Sequence, residues 1–404
     1  MVPGLRFRPN AMIRTHSAPH ISGRLDELDS LRGLAAMSVV LNHFKIMWYE
    51  SATLGWPQLT KGVLSCLLQP FTAGREAVIL FFILSGFVLS IPAVNSRAQT
   101  YPVFVIRRVF RIYLPYLAAL ILAVLGVMIR QGHVTQGQWF NQFRFGPVNW
   151  RLVMQHVIFI GQYNTDPFDS PIWSLVYEMR ISLVFPLLCA IVLRLKPAQS
   201  LIMAACMSCL SILTLILLPP PHFNIGTVST LHYAALFIVG IYLARQKSII
   251  SNIFAYLSKR KKEAIAVLAA LLYLYAAAGI TRRLTHYGLV LSSDWFTALG
   301  AAGLIVFSLN SASCRRVLLW PPIHALGKMS YSVYLLHLII MQLLIHLLYG
   351  KIPLLFVIAL CLVAVVAGSW AFYRLIELPF MNLGRRLGGY LTSKIKQPDS
   401  AALT

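Results

Sequence analysis

The chain has 404 residues, of which 58% are hydrophobic and 12% are charged, whereas soluble domains carry roughly 25% charged residues. This composition excludes a soluble globular protein and indicates a chain that lies mostly in lipid. The formal net charge is +23, from 35 Lys and Arg against 12 Asp and Glu. Because basic residues of membrane proteins collect in cytoplasmic loops, the charge predicts contact with membrane lipids and no nucleic-acid partner.

Ten apolar stretches are long enough to cross the hydrocarbon core of a bilayer. They lie at 31–48, 75–92, 110–129, 171–193, 200–218, 229–244, 263–280, 294–310, 330–349 and 352–376. The stretch 152–163 is an eleventh candidate, but if it crossed, the most basic loop of the chain, at 245–262, would lie outside the cell. The positive-inside rule therefore favours ten spans, with both termini cytoplasmic and an external segment at 130–170.

The predicted fold class is an all-α polytopic membrane protein with ten transmembrane helices. We expect a basic cytoplasmic tail at 1–30, a membrane domain at 31–380 and a second cytoplasmic tail at 381–404. The first 24 residues have no apolar core of the kind found in signal peptides. The six cysteines, like the acidic residues and histidines, show no metal-ligand spacing, so we predict no metal site.

The first span carries charged side chains that lipid does not tolerate. Arg32 and His43 are eleven residues apart, which places them within roughly 20° of each other on a helix and about 16 Å apart along its axis. Among the acidic residues, only Glu178 is predicted inside a span, and the others are assigned to tails, loops or span ends. We predict that His43 is a general base and that Glu178 orients it. Two alternatives stay open: His43 bonds only a neighbouring helix, or Glu178 pairs with Arg180 or another helix.

An arginine cluster marks the cytoplasmic end of the third predicted span. Arg107, Arg108 and Arg111 lie in the segment RRVFRIYLPY. At a helix N-terminus their guanidinium groups and the backbone N–H groups could together hold phosphates. Juxtamembrane arginines also follow the positive-inside rule or bind anionic lipid headgroups, so the cluster alone is weak evidence.

Several segments in order resemble the acyltransferase-3 family of integral membrane O-acyltransferases. The first is LDELDSLRGLAAMSVVLNHF, in which Arg32 and His43 match the family's basic residue, ten intervening residues and histidine. The others are FFILSGFVLS, RRVFRIYLPY, PIWSLVYEMR, LGKMSYSVYLLH and FYRLIELPF. The resemblance covers residues 24–381. It departs from the family where Arg180 and Ile181 follow Glu178, a place where relatives often carry an aromatic residue.

The resemblance implies transfer of an acyl group, usually acetyl from acetyl-CoA, to a hydroxyl of a carbohydrate. It also implies that His43 and Arg32 are the functional pair and that Arg108 and Arg111 hold the donor. Beside them, we expect Trp173, Tyr177, Tyr331 and His337 to contact substrate. The expected partners are an acyl-CoA donor and a carbohydrate acceptor, a cell-surface or exported glycan, at the bacterial inner (cytoplasmic) membrane.

The acceptor is expected to meet aromatic residues in or beside the external segment. Trp139, Phe143, Phe145, Trp150 and Tyr163 cluster there, and such faces stack on sugar rings, although an interfacial belt has the same composition. The rival function is a proton-coupled transporter or flippase of a glycan or lipid-linked precursor, in which His43 and Glu178 would relay protons. No inverted repeat is visible to support it.

Overall fold

The computed structural model describes residues 25–52, 57–129, 148–218, 225–276 and 287–396. Over these ranges the chain is helical, without a β-strand, in agreement with the predicted fold class. The helices of the first half are α1 (Asp26–Ala52), α2 (Gln58–Leu68), α3 (Gly74–Val94), α4 (Tyr101–Arg108), α5 (Leu114–Ile129), α6 (Trp150–Ile158), α7 (Asp166–Asp169) and α8 (Ile172–Arg194). Those of the second half are α9 (Pro197–Leu217), α10 (Ile225–Arg245), α11 (Lys247–Tyr256), α12 (Lys259–Leu271), α13 (Tyr287–Asn310), α14 (Ala312–Leu318), α15 (Pro321–Lys328), α16 (Ser330–Leu348), α17 (Leu354–Phe372) and α18 (Leu378–Lys396).

Eight helices within the described ranges are long and apolar enough to cross a membrane, so the chain is a multi-pass membrane protein. They are Leu59–Val94, Tyr101–Ile129, Ile172–Arg194, Pro197–Leu217, Ile225–Arg245, Leu289–Asn310, Ser330–Leu348 and Leu354–Lys394. The other two predicted spans coincide with α1 and α12, which are helical but carry several charged residues. The total of ten spans and the position of both termini therefore stay predictions.

The eleventh apolar stretch, 152–163, forms only a short helix. α6 has nine residues, which rise about 14 Å at 1.5 Å per residue, roughly half the thickness of the hydrocarbon core. The helix ends at Ile158. The next residue, Phe159, has a backbone φ of 66°, and its ring is buried against Tyr116. This segment packs against the bundle through Phe159.

The centre of the bundle is formed by α1, α3, α10 and α16, whose side chains are buried on several faces. α3 and α10 approach so closely at Gly86 and Gly240 that a Cβ on either glycine would collide with the facing backbone. By contrast, α9 and α17 expose most of their apolar residues. Exposed apolar side chains on these outer helices are those expected to face lipid.

The C-terminal part of the chain is one long helical segment. α17 continues through a π-helical turn, Tyr373–Glu377, directly into α18. The predicted tail at 381–404 is therefore helical as far as Lys396. α18 is basic and amphipathic and packs along α4 through Gly384 and Gly388.

Candidate active site

A cavity with about 800 Å³ of empty space, part of it open to solvent, lies between α1, α3, α8, α16 and the start of the helix at 101–129. Three arginines, Arg32, Arg108 and Arg111, line it together with one acid, Glu178. Tyr331 and Tyr334 add hydroxyl groups, and the remaining wall is mostly apolar. The structure thus brings five of the predicted site residues into one cavity: Arg32, Arg108, Arg111, Glu178 and Tyr331. The excess of guanidinium groups suits an anionic ligand.

The arginine segment does not lie at a helix N-terminus, and that part of the prediction was wrong. The helix begins at Tyr101 with Pro102 in its first turn, and it continues through the π-helical turn Val109–Tyr113 into α5. Pro is favoured in a first helical turn because its missing N–H has no partner there anyway. The backbone N–H groups near Arg108 lie inside this continuous helix, so the guanidinium groups remain as the anion-binding groups.

The side chain of Arg108 is buried and held by α8. One nitrogen, Nη2, donates to Glu178 Oε1 at 3.0 Å and to Ser182 Oγ at 2.7 Å. The hydroxyl of Ser85 donates to the same Glu178 oxygen at 3.0 Å. The carboxylate predicted to orient His43 is therefore the counter-ion of Arg108, and the predicted Glu178–His43 arrangement was wrong.

The side chains of Arg111 and Arg107 have different surroundings from that of Arg108. Arg111 is exposed in the π-helical turn and lines the cavity. The side chain of Arg107 packs against α18, so closely that a Cβ at Gly388 would lie 2.9 Å from its Nε atom. Arg107 is therefore separated from the two cavity arginines, Arg108 and Arg111.

His43 pairs with His337 of the neighbouring helix α16. The distance from His337 Nε2 to His43 Nδ1 is 3.2 Å, and the ring centroids are 5.0 Å apart. The Nδ1 of His337 contacts the carbonyls of Val333 and Tyr334 at 3.1 and 2.8 Å, so it carries the proton. The sequence placed His337 only among residues in contact with substrate. The spacing of Arg32 and His43 within one helix gives no sign that α1 and α16 bring His43 and His337 into contact.

The tautomer of His43 follows from the same contacts. Its Nδ1 lies 3.0 Å from the carbonyl of Val39 and also faces the unprotonated Nε2 of His337. Both are acceptors, so the Nδ1 of neutral His43 is the protonated nitrogen. Its Nε2 then carries the lone pair that a general base needs.

Tyr334 connects the cavity with the histidine pair. Its ring lines the cavity and lies 6.0 Å from the ring of His337, centroid to centroid. Its hydroxyl donates to the carbonyl of Pro171 at 2.9 Å and lies 2.7 Å from Ser174 Oγ. The tyrosine is thereby held between α16 and the start of α8.

Trp173 and Tyr177 lie beside the cavity rather than in its wall. Together with Tyr233 they form an aromatic cluster, with centroid distances of 4.8 to 6.0 Å. Phe82, which lines the cavity, stacks on Tyr233 at 4.6 Å. The aromatic residues Trp139, Phe143 and Phe145 lie outside the described residues.

Arg180, the residue that departs from the resemblance, bonds the predicted external segment to the bundle. Its guanidinium donates to the carbonyls of Ile160 and Gly161 at 2.8 and 2.5 Å, and to Thr230 Oγ1 at 3.3 Å. It does not pair with Glu178. The first form of the alternative, a salt bridge between Glu178 and Arg180, is therefore wrong, whereas its second form, a pair with another helix, is confirmed by the contact of Glu178 with Arg108.

Two acids assigned to span ends are in fact buried between helices. Asp294 lies seven residues inside α13 and accepts hydrogen bonds from Arg75 at 3.0 and 2.9 Å, while His232 Nε2 lies 3.3 Å away. Glu377 ends a π-helical turn and accepts a hydrogen bond from Ser332. The prediction failed because hydropathy placed the start of α13 too late and could not find these partners.

Asp169 is a buried acid in α7, just before α8. It is 1% exposed, and neither carboxyl oxygen has a hydrogen-bond partner within the described part of the chain. Burial raises the pKa of its carboxyl well above the ordinary value. No group of three or more metal-ligating side chains occurs among the described residues.

Comparison with known proteins shows the family of the chain. The sequence profile of the acyltransferase-3 family, described as an acyltransferase domain, matches residues 25–374. The chain belongs to this family.

Individual relatives are more distant. The chain is 24% identical over 399 residues to the O-acetyltransferase OatA of Staphylococcus aureus strain MRSA252, covering 92% of this chain and 60% of that protein. The OatA of strain NCTC 8325 / PS 47 is also 24% identical, over 396 residues, with 92% and 59% covered. The chain thus spans about three fifths of the length of these relatives. No solved structure matches it.

Proposed function

We propose that this protein is a membrane O-acyltransferase that moves an acyl group, acetyl in the first instance, from acyl-CoA to a hydroxyl of a carbohydrate. The observation that carries the proposal is the layout of one cavity. Arginines 32, 108 and 111 surround it, and Tyr334 connects it to the His43–His337 pair. A donor that carries phosphates at one end and a thioester at the other matches this layout. The name of the OatA relatives supports the acetyl group.

Donor binding is assigned to the arginine end of the cavity. Arg111 is the exposed cation of the wall, and Arg32 lies 3.8 Å from Asp29, at the predicted cytoplasmic end of α1. Arg108 is neutralised by Glu178, so the net positive charge of the wall comes from Arg32 and Arg111. The pantetheine arm then extends along α1 toward His43, about 16 Å from Arg32 by the helical rise.

The histidine pair is assigned to the chemistry. Nε2 of His43 takes the proton of the acceptor hydroxyl while the hydroxyl oxygen bonds to the thioester carbonyl carbon. The C–S bond then breaks, and the CoA sulfur takes the proton from His43. The imidazolium that forms is stabilised because its Nδ1–H donates to His337 and Val39. His337 is therefore the positioning residue, the role that the sequence gave to Glu178.

The acceptor is proposed to be a surface or exported glycan that meets Trp173 and Tyr177 on the predicted outer side. Their cluster with Tyr233 offers aromatic faces beside the cavity. Tyr331 is assigned to the cavity wall, where its hydroxyl donates to the carbonyl of Ile112 at 2.8 Å. That bond holds the π-helical turn next to Arg111.

The test uses purified protein in lipid nanodiscs with radiolabelled acetyl-CoA. We expect wild type to bind the donor and hydrolyse it slowly, and His43→Ala to bind it without turnover. Arg111→Gln should weaken donor binding by about tenfold, the loss of one charge-assisted contact of roughly 1.4 kcal/mol. Arg385→Gln, which removes an exposed arginine of α18, is the matched control. Arg107→Gln tests the remaining predicted donor residue.

Each outcome has a defined meaning. If wild type binds no acyl-CoA, the transferase proposal fails and proton-coupled transport becomes the leading function. If His337→Gln keeps turnover but shifts its pH profile, His337 acts through His43. If His337→Gln leaves both rate and pH profile unchanged, the histidine pair is not the catalytic unit.

A further inference from the structure

A second cavity opens beside the first and has no role in the mechanism above. It has about 790 Å³ of empty space and lies between the end of α3, the turn at 95–100, α4 and the end of α8. Leu89 lines both cavities, so the two adjoin at this residue.

The wall of this second cavity is apolar, with one amide group. Phe104 and Phe185 stack with centroids 6.1 Å apart and planes inclined by 15°, and Pro92 and Pro186 add flat apolar surface. The amide comes from Gln99 in the turn. A glutamine amide both donates and accepts, which is the pattern that reads the edge of adenine, and aromatic side chains pack on the faces of bases.

Two arginines flank the cavity in the sequence. Arg97 precedes the lining residue Ala98, and its backbone N–H donates to the carbonyl of Pro92 at 2.7 Å. Arg194 follows the lining residue Leu193 and is exposed. The side chains of Arg97, Arg194 and Gln99 make no hydrogen bond or ion pair within the described ranges of the chain. These basic residues also place this end of the bundle on the predicted cytoplasmic side.

We propose that the second cavity binds the 3′-phosphoadenosine part of the CoA donor. Phe104 and the prolines hold the base, Gln99 bonds its edge, and Arg97 and Arg194 meet the 3′-phosphate. The pyrophosphate then passes Leu89 to reach the arginines of the first cavity. This inference rests on the proposed function, since it assigns the remaining part of the same donor to a site. A phospholipid chain is the competing occupant, but it leaves the amide and the two unpaired arginines without a purpose.

The experiment compares three thioesters: acetyl-CoA, acetyl-dephospho-CoA, which lacks the 3′-phosphate, and S-acetyl-4′-phosphopantetheine, which lacks the adenosine. The measured quantity is the KM for thioester hydrolysis by protein in nanodiscs. For wild type we expect a KM for acetyl-CoA about tenfold or more below that for acetyl-phosphopantetheine. Ala190→Trp, which fills the second cavity from α8, should bring the ratio of these two KM values toward one.

Two further variants keep the test independent of that substitution. Gln99→Leu, in an exposed turn, should raise the KM for acetyl-CoA toward the KM for acetyl-phosphopantetheine. The double variant Arg97→Gln/Arg194→Gln should lose the preference for acetyl-CoA over acetyl-dephospho-CoA. Leu187→Trp is the control, because Leu187 lies on the same helix, is 67% exposed and does not line the cavity.

The results separate this proposal from the proposed function. If wild type hydrolyses all three thioesters with equal KM, the adenosine site is wrong and the acyltransferase proposal stands. If the KM ratio persists in both Ala190→Trp and Gln99→Leu, the nucleotide binds elsewhere, and a lipid chain becomes the better occupant. If wild type uses none of the three, the proposed function itself fails.

Discussion

Arg108 and Glu178 form a charged pair within the helical bundle, where the two side chains are 9% and 18% exposed. Each has a further polar partner, Ser182 for the arginine and Ser85 for the carboxylate. A buried charge is tolerated only when it is paired and hydrogen-bonded. The pair is thus a neutral structural unit of the cavity wall.

Removing one partner of this pair should destabilise the protein more than removing both. We expect Glu178→Gln to lower the free energy of unfolding by about 3 kcal/mol, because Arg108 is left without its counter-ion. The double variant Arg108→Met/Glu178→Leu should recover most of that loss. The measurement is unfolding by SDS in mixed micelles. Additive losses in the double variant would show that the two charges do not interact.

Asp169 should make the protein less stable as the pH rises. Burial raises the pKa of its carboxyl in the folded state, so the folded protein binds the proton more tightly than the unfolded chain. The destabilisation that comes from ionising this buried carboxyl is absent below the ordinary pKa of an aspartate, near 4, and grows as the pH rises above that value. Asp169 ends α7, which contacts α5 and α16, and its charge acts on Tyr116 and Tyr334 of those two helices.

Asp169→Asn tests this behaviour, because the amide stays neutral at every pH. We expect the variant to melt a few degrees above wild type at pH 8, the shift produced by roughly 1–2 kcal/mol, and to approach wild type near pH 4. Thermal unfolding in detergent across this range measures it. A constant difference at all pH values would mean that Asp169 does not titrate in this window.

At the scale of elements, glycines decide how closely helices approach. Gly86, in the segment FFILSGFVLS, meets the carbonyl of Phe237, and Gly240 meets the carbonyl of Ile83. This contact between α3 and α10 brings Phe82 against Tyr233, and so sets the distance between the cavity and the aromatic cluster. A side chain at either glycine must push the helices apart.

Gly86→Ala should therefore cost about 1–3 kcal/mol, the usual cost of overpacking a core. Gly389→Ala, on α18, is the matched control, because Gly389 is exposed and a Cβ there has no neighbour within 4 Å in the described part of the chain. Its expected effect is neutral to about 1 kcal/mol stabilising, since alanine is the better helix former. The yield of folded protein and its melting temperature report both. Equal melting temperatures for the two variants would contradict the close packing.

Two π-helical turns contact the same helix beside the cavity. Tyr331 of α16 donates to the carbonyl of Ile112 in one turn, and Ser332 donates to Glu377 at the end of the other. π-Helical turns occur frequently at functional sites because they redirect side chains and free carbonyl groups. Here the first turn carries Arg111, and both turns bond to α16, which carries Tyr334 and His337.

At the scale of the whole molecule, the orientation in the membrane is the main prediction still to be tested. Asn149 and Ser258 are both exposed N-cap residues, of α6 and α12. In a variant without the six native cysteines, we expect an impermeant maleimide to label Asn149→Cys in intact cells and Ser258→Cys only after lysis. Labelling of both positions in intact cells would overturn the predicted orientation.

Composition and local pattern were sufficient to predict the helical class and the apolar segments that lie in lipid or in a core. The apolar runs predicted the helical class and the position of the membrane helices, because an apolar segment of that length is stable only in lipid or a core. Arg32, Arg108, Arg111 and Tyr331 were placed at the site from their motifs, and the structure brings them to one cavity with Glu178.

Only the tertiary structure decided which groups are partners. The sequence paired His43 with Glu178 by depth, but their rotation about separate helix axes directs Glu178 to Arg108 and His43 to His337. Asp294 likewise found Arg75, 219 residues away in the chain. Hydropathy reports how far a residue lies along a helix and not which neighbour its side chain faces. That choice depends on close packing between helices, set by contacts such as Gly86 with Phe237, and no local pattern encodes it.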